Sequence, residues 1–136
     1  MIFYDLNGRE HRKEVNYRKH EKVEARSSAL SEALYAKIEE LLPGYGILCE
    51  FPCVGIRPTL FLDFVILGGV RFAFEADGRQ HKEFIPHFHG TRANFARQKI
   101  NDLNKERWCI ENNIKLIRVA EMSDVENLAE LINERQ

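Results

Sequence analysis

From Leu62 to Asp77 the chain reads as two apolar strands joined by the pair Gly68-Gly69, and no other stretch limits the fold as strongly. Acids stand where these strands should be most apolar. Asp63 interrupts the first, and Glu75 and Asp77 close the second. A carboxylate on a buried strand costs on the order of several kcal/mol unless it is paired or bound to a metal. Three of them at one end of a hairpin predict a divalent cation site. The polar run that follows, Gly78-Arg79-Gln80-His81, supplies candidates for substrate and proton handling.

The rest of the chain supplies elements around this hairpin. Ile2-Phe3-Tyr4 followed by Asn7-Gly8 predicts a short N-terminal hairpin. From Arg9 to Arg26 charged residues dominate, so this stretch reads as an exposed arm. Ser27 or Ser28 can cap a helix that Pro43-Gly44 stops, with Leu30, Leu34, Ile38 and Leu41 on one face. Strands are expected at 47–53, 60–67 and 70–77, and a further one at 115–120. A second helix should run from about Arg92 to Asn112 with Phe95, Ile100, Leu103 and Ile110 inward. A last helix, capped by Ser123 or Asp124, is built on Val125, Leu128, Leu131 and Ile132. The order is helix, three strands, helix, strand, helix.

At 136 residues the chain suits one core. Its 44% hydrophobic and 30% charged residues exclude a disordered chain, and no apolar run approaches a membrane span. The three cysteines, Cys49, Cys53 and Cys109, lack CxxC spacing, which fits reduced thiols and a cytoplasmic protein. The net charge of −1 hides a basic sector from Arg92 to Arg118 beside an acidic stretch from Glu121. Such polarity can guide a polyanion to one face, although a solvated helix explains it too.

The element order and the segment Phe74-Glu75-Ala76-Asp77-Gly78-Arg79-Gln80-His81 closely resemble the PD-(D/E)XK nuclease superfamily, in particular the branch of very short patch repair and phage homing-type endonucleases with a Glu-x-Asp-Gly-x-x-His motif. Asp102, Lys105 and Trp108, then 114–119, also resemble that branch, and the likeness covers roughly 27 to 119. It implies an α/β fold with a restriction-endonuclease-like core, α-βββ-α-β plus a C-terminal helix, the mixed sheet flanked by helices. The division it implies is a hairpin and charged arm over 1–26 and one nuclease-like domain over 27–136. The implied activity is a Mg²⁺-dependent DNA endonuclease of repair, recombination or phage DNA processing, in the host cytoplasm if phage-encoded, with Mn²⁺ able to substitute.

Phosphodiester hydrolysis needs an in-line water, neutralised charge on the phosphoryl group and a proton for the leaving oxygen. Mg²⁺ held by one or two carboxylates keeps open water positions and can serve the first two needs. Asp63, Glu75 and the Ala76 carbonyl are the expected ligands. His81 is the expected acid/base group, since an imidazole titrates near neutral pH. Asp102 could orient it, Gln80 could bond in the site, and Asp77 could bind metal or fix the turn. Asp77 also stands where the superfamily carries its lysine. The first-helix glutamate of the branch falls at Ser31 here, with Glu32 beside it. Arg18, Lys19, Arg79, Arg97, Lys99 and Lys105 are the expected phosphate contacts, giving salt-sensitive affinity with little sequence preference.

Plainer readings exist for each. Asp-Gly is a common turn pair, and Asp102 with Lys105 is an ordinary i, i+3 pair on a helix surface. His81, His87, His89 and Cys109 suggest zinc, but no ligand set has the usual spacing. A non-catalytic nucleic-acid-binding or regulatory protein on the same fold is the alternative function, and an RNase a weaker one. Monomer and homodimer are both open.

Overall fold

Strand alternation decides which layer each side chain joins, and here it divides the core in two. The computed structural model describes residues 1–17, 28–77 and 90–134. Its elements are β1 (Ile2–Tyr4), β2 (Glu10–Arg12), α1 (Ala29–Leu41), β3 (Leu48–Pro52), β4 (Phe61–Ile66) and β5 (Phe72–Ala76). They continue with α2 (Arg92–Glu111), β6 (Lys115–Val119), α3 (Met122–Glu126) and α4 (Leu128–Asn133). The order β3-β4-β5-β6 forms one mixed sheet, antiparallel from β3 to β5 and parallel between β5 and β6. The protein is therefore a mixed α/β fold with a four-stranded sheet flanked by helices.

On one face Phe64, Ile66, Phe74, Ile117 and Val119 pack with Leu34 and Ile38 of α1 and with Val125 and Leu128 of α3 and α4. On the other, Val65, Ala73 and Phe51 pack with Trp108 and Cys109 of α2 and with Phe3 of β1. Phe3 is fully buried and stacks on Trp108 with ring centroids 5.7 Å apart. Asn112 completes the attachment: its side chain accepts from Tyr4 N–H at 2.8 Å and donates to Tyr4 O at 2.9 Å. The N-terminal hairpin thus shares the core of the sheet.

Ser28 caps α1, its Oγ accepting from Ser31 N–H at 3.1 Å; Ser27 lies outside the described residues. The last helix is two short ones rather than one, begun at Glu121. Asp124 acts one turn inside, its carboxylate accepting from Ala120 and Glu121 N–H.

Helix α2 differs most from expectation. Ile100, Leu103 and Ile110 do not face inward; they are 59%, 53% and 69% exposed, and Phe95 is only half-buried. Trp108 and Cys109 are the buried residues of the helix. At 100° per residue, Lys105, Trp108, Cys109 and Asn112 share one side, and Ile100, Leu103 and Ile110 lie opposite. The helix is rotated so that Lys105 and Trp108 face the sheet, because the sheet presents an acid there.

Candidate active site

The site lies on the sheet face covered by α2. In β5, Ala73 belongs to that layer and Phe74 to the other, so alternation carries Glu75, then Asp77, to the α2 side. β4 pairs with β5 through Phe64 and Phe74. One step further along both strands, Asp63 stands opposite Glu75. Asp63 Oδ2 accepts from Ala76 N–H at 2.9 Å, which fastens the end of β5.

The β3–β4 pairing is distorted beside this acid. The β3–β4 ladder runs from Leu48↔Val65 to Cys49↔Phe64 and resumes at Phe51↔Leu62. Between them Glu50 has φ of +49°, a left-handed conformation uncommon for a non-glycine residue. Alternation slips there: Leu48 and Val65 join the α2-side core, and so do Phe51 and Leu62. The kink leaves Asp63 half-buried at a break in the apolar ladder.

Above these acids stands Lys105, with Nζ 3.0 Å from Glu75 Oε1. Glu75 is 3% exposed. Burial, then the charge of Asp63, push its carboxyl up to about 8 against the pull of Lys105. Lys105 pays for its own burial but is held above its ordinary value by Glu75 and Asp63. Two acids face Lys105, so it keeps its proton, whereas at Glu75 burial and the neighbouring acid outweigh the single lysine.

Asp77 is buried but turned to the neighbouring strand. Its N–H donates to Val119 O at 2.9 Å, and its Oδ2 lies 3.0 Å from Arg118 Nε. That last contact is close yet misaligned, since among the described residues Nε has no acceptor in hydrogen-bonding geometry. We count it as charge proximity alone. Arg118 also pairs through Nη1 with Glu106 and donates from Nη2 to Asp102 O at 2.7 Å. In the β5–β6 register Arg118 stands beside Glu75. A row Asp63, Glu75, Arg118 therefore crosses three strands, with Lys105 over its centre.

The expected residues divide as follows. Asp63, Glu75 and Lys105 are brought together, Lys105 as the partner of Glu75. Asp77 and Asp102 lie alongside, around Arg118. Three acids do not converge as a metal cage: among the described residues no group of three His, Cys, Asp or Glu side chains is placed to hold an ion. Glu32 is exposed on α1, which packs on the opposite face of the sheet. Arg97 and Lys99 are exposed on α2, Lys99 Nζ lying 5.3 Å from the Phe95 ring centre. Gln80, His81, Arg79, Arg18, Lys19, His87 and His89 lie outside the described residues. Cys109 is buried beside Glu75, and burial pushes its thiol up to about 12, which disfavours the thiolate that zinc requires.

Arg118 was missed as a site residue; in the sequence it looks like one cation in a basic sector. Gln98 and Asn101 are half-buried and in helical phase with Lys105.

No family profile matches this chain, and no solved structure does. Uncharacterized protein 307L of invertebrate iridescent virus 6 is 42% identical over 50 residues. That match covers 37% of this chain and 25% of the viral protein, so this chain accounts for about a quarter of its relative's length. Among the described residues no helix is long and apolar enough to cross a membrane.

Proposed function

We propose that this protein is a metal-dependent DNA endonuclease built on a restriction-endonuclease-like core, with Asp63 and Glu75 as metal ligands and Lys105 as the cation at the reacting phosphate. The observation that carries the reading is the pair of acids opposite each other on adjacent strands, one nearly sealed from solvent, beneath a lysine on a helix turned to meet them. A structural role would be served as well by apolar residues, since replacing a buried ion pair by packed side chains is often neutral or stabilising. The order of strands and helices and the parallel β5–β6 pair agree with such a core.

The donor set suits Mg²⁺ or Mn²⁺. Two carboxylates and a nearby backbone carbonyl are hard oxygen donors, too few for calcium and without the nitrogen or sulfur that zinc prefers. Bound there, the ion would activate water and neutralise charge on the phosphoryl group. The chain's own residues do the rest. Asp63 holds the end of β5 through Ala76 N–H, fixing where Glu75 points. Lys105 supplies the cation that the strand lacks at Asp77, and Asp77 is held toward β6 beside Arg118. Arg97 and Lys99, on the exposed side of α2, extend positive charge toward a backbone outside the site.

A non-catalytic nucleic-acid-binding protein on the same fold is the second reading, favoured by Asp77 in the lysine's place. Thermal melting with Mg²⁺, Mn²⁺ or EDTA separates the two. A ligand that binds only the folded chain raises its melting temperature. The nuclease reading predicts a rise of several degrees in wild type and none in Asp63→Asn or Glu75→Gln. Equal melting in metal and EDTA would favour the second.

A further inference from the structure

Beside the acid pair is a cavity of about 340 Å³ that the chemistry above does not use. It opens at the carboxyl ends of the parallel strands β5 and β6, against the flank of α2. Such strand ends are where open α/β sheets take ligands. Leu103 and Ala120 form its apolar walls beside Val119, whose side chain packs in the opposite core layer; Asp102 and Glu106 bring carboxylates and Lys99 a cation. Asp77 and Arg118 also line it, so it shares a wall with the site. Along β5, Asp77 is two residues beyond Glu75, or about 7 Å.

We propose that this cavity holds one unstacked nucleobase of the DNA strand, next to the phosphate at the acid pair, and prefers a base with an exocyclic amino group. This rests on the nuclease reading and names its substrate: DNA with an unpaired nucleotide at the cleavage point. Four observations carry it. The volume is near the lower end for small-molecule sites, roughly 300 Å³ and upward, which suits a single nucleotide. Leu103 is 53% exposed at its side, an apolar surface on which a base face can rest. The carboxylates of Asp102 and of Glu106, the latter also paired with Arg118, have lone pairs to accept, and cytosine N4 and adenine N6 are donors that match them. Thymine offers a carbonyl in that place and would face like charge. Finally, the span from Glu75 to the cavity wall is about the reach from a phosphate to its own base. Enzymes that act on nucleic acid commonly take a base out of the stack into such a pocket.

The test uses the whole chain and oligonucleotides carrying 2-aminopurine, either fully paired or at a one-nucleotide bulge. Its fluorescence reports unstacking. Binding is measured in EDTA and cutting in Mg²⁺, for wild type, Leu103→Gln and Ala120→Phe, with melting curves to verify folding. Wild type should bind the bulged strand about tenfold more tightly than the paired one, as expected for one base stacked on a protein surface. Fluorescence should stay high in that complex, and a bulged cytosine or adenine should bind better than a bulged thymine. Both variants should lose the preference yet bind paired duplex like wild type. Equal binding of both substrates, or variants that keep the preference, would overturn the proposal. Cutting of paired and bulged DNA alike would remove the pocket's role and leave the nuclease reading intact. A variant-sensitive preference without any cutting would keep the pocket and remove the nuclease.

Discussion

At Glu75 two demands collide: the strand must be buried to hold the sheet, and the carboxylate must be charged to hold a cation. Lys105 relieves the conflict in part. Between about pH 4.5 and 8 the folded chain keeps a proton at Glu75 that the unfolded chain releases, so stability falls as pH rises through that window. Removing the lysine sharpens the effect. Lys105→Met should cost less at pH 6, where Glu75 can take a proton, than at pH 9, where the loss should be on the order of 3 kcal/mol. Denaturant unfolding at both pH values checks this, and equal losses would contradict it. Asp5 shows the opposite sign. It accepts from His11 Nε2 at 2.9 Å and from the N–H groups of Asn7 and Arg9, which hold its carboxyl down at about 2. Its contribution is present above the ordinary carboxylate value of 3.8 and is lost as pH falls through about 2. Wild type should therefore melt above Asp5→Asn at pH 6, and the gap should narrow steadily as pH is lowered from 4 to 2. Asp63 and Glu75 were legible as a pair because acids in apolar strands demand a reason. The partners of Lys105 and Arg118 were not, since ordinary surface helices carry the same charge spacing.

The helices and strands themselves followed from the sequence wherever local signals agreed. Glycine pairs, caps and apolar periodicity place α1 and β3 to β6 within a residue or two of where they stand. The facing of α2 did not follow. Counting apolar residues favours Ile100, Leu103 and Ile110 as the inner side, but only tertiary contact reveals that the sheet offers Glu75 to be neutralised and Phe3 and Phe51 to be covered. Trp108 wins that face: it stacks on Phe3 and donates from Nε1 to Val54 O at 2.9 Å. Two substitutions separate the faces. Phe3→Ala should destabilise the chain by about 3–5 kcal/mol, as for other buried aromatics. Ile100→Gln, on the outer face, should change stability by no more than about 0.5 kcal/mol. Equilibrium unfolding distinguishes them, and comparable losses would restore the inward orientation of Ile100.

Across the whole molecule, the sheet separates two jobs. The face under α1, α3 and α4 is uniformly apolar, whereas the face under α2 carries the acid row, the lysine and the arginine beside an apolar patch sealed by the N-terminal hairpin. The register of β4 on β5 brings Asp63 level with Glu75, beside the kink at Glu50 in β3. The antiparallel pairing of β4 with β5 was legible from the Gly68-Gly69 turn. The parallel partnership of β5 with β6, which sets Arg118 beside Glu75 and opens the cavity at the strand ends, depends on a crossover that no local signal reports. The nuclease reading assigns hydrolysis of DNA to Asp63 and Glu75 under Lys105. Its most direct test is cleavage of supercoiled plasmid and of labelled single-stranded, duplex and bulged oligonucleotides, in Mg²⁺, Mn²⁺ or EDTA, by wild type and Glu75→Gln. Metal-dependent cutting by wild type, absent in EDTA and in Glu75→Gln, is the predicted result. No cutting of any substrate by folded wild type in either metal, or cutting that persists in folded Glu75→Gln, would contradict it.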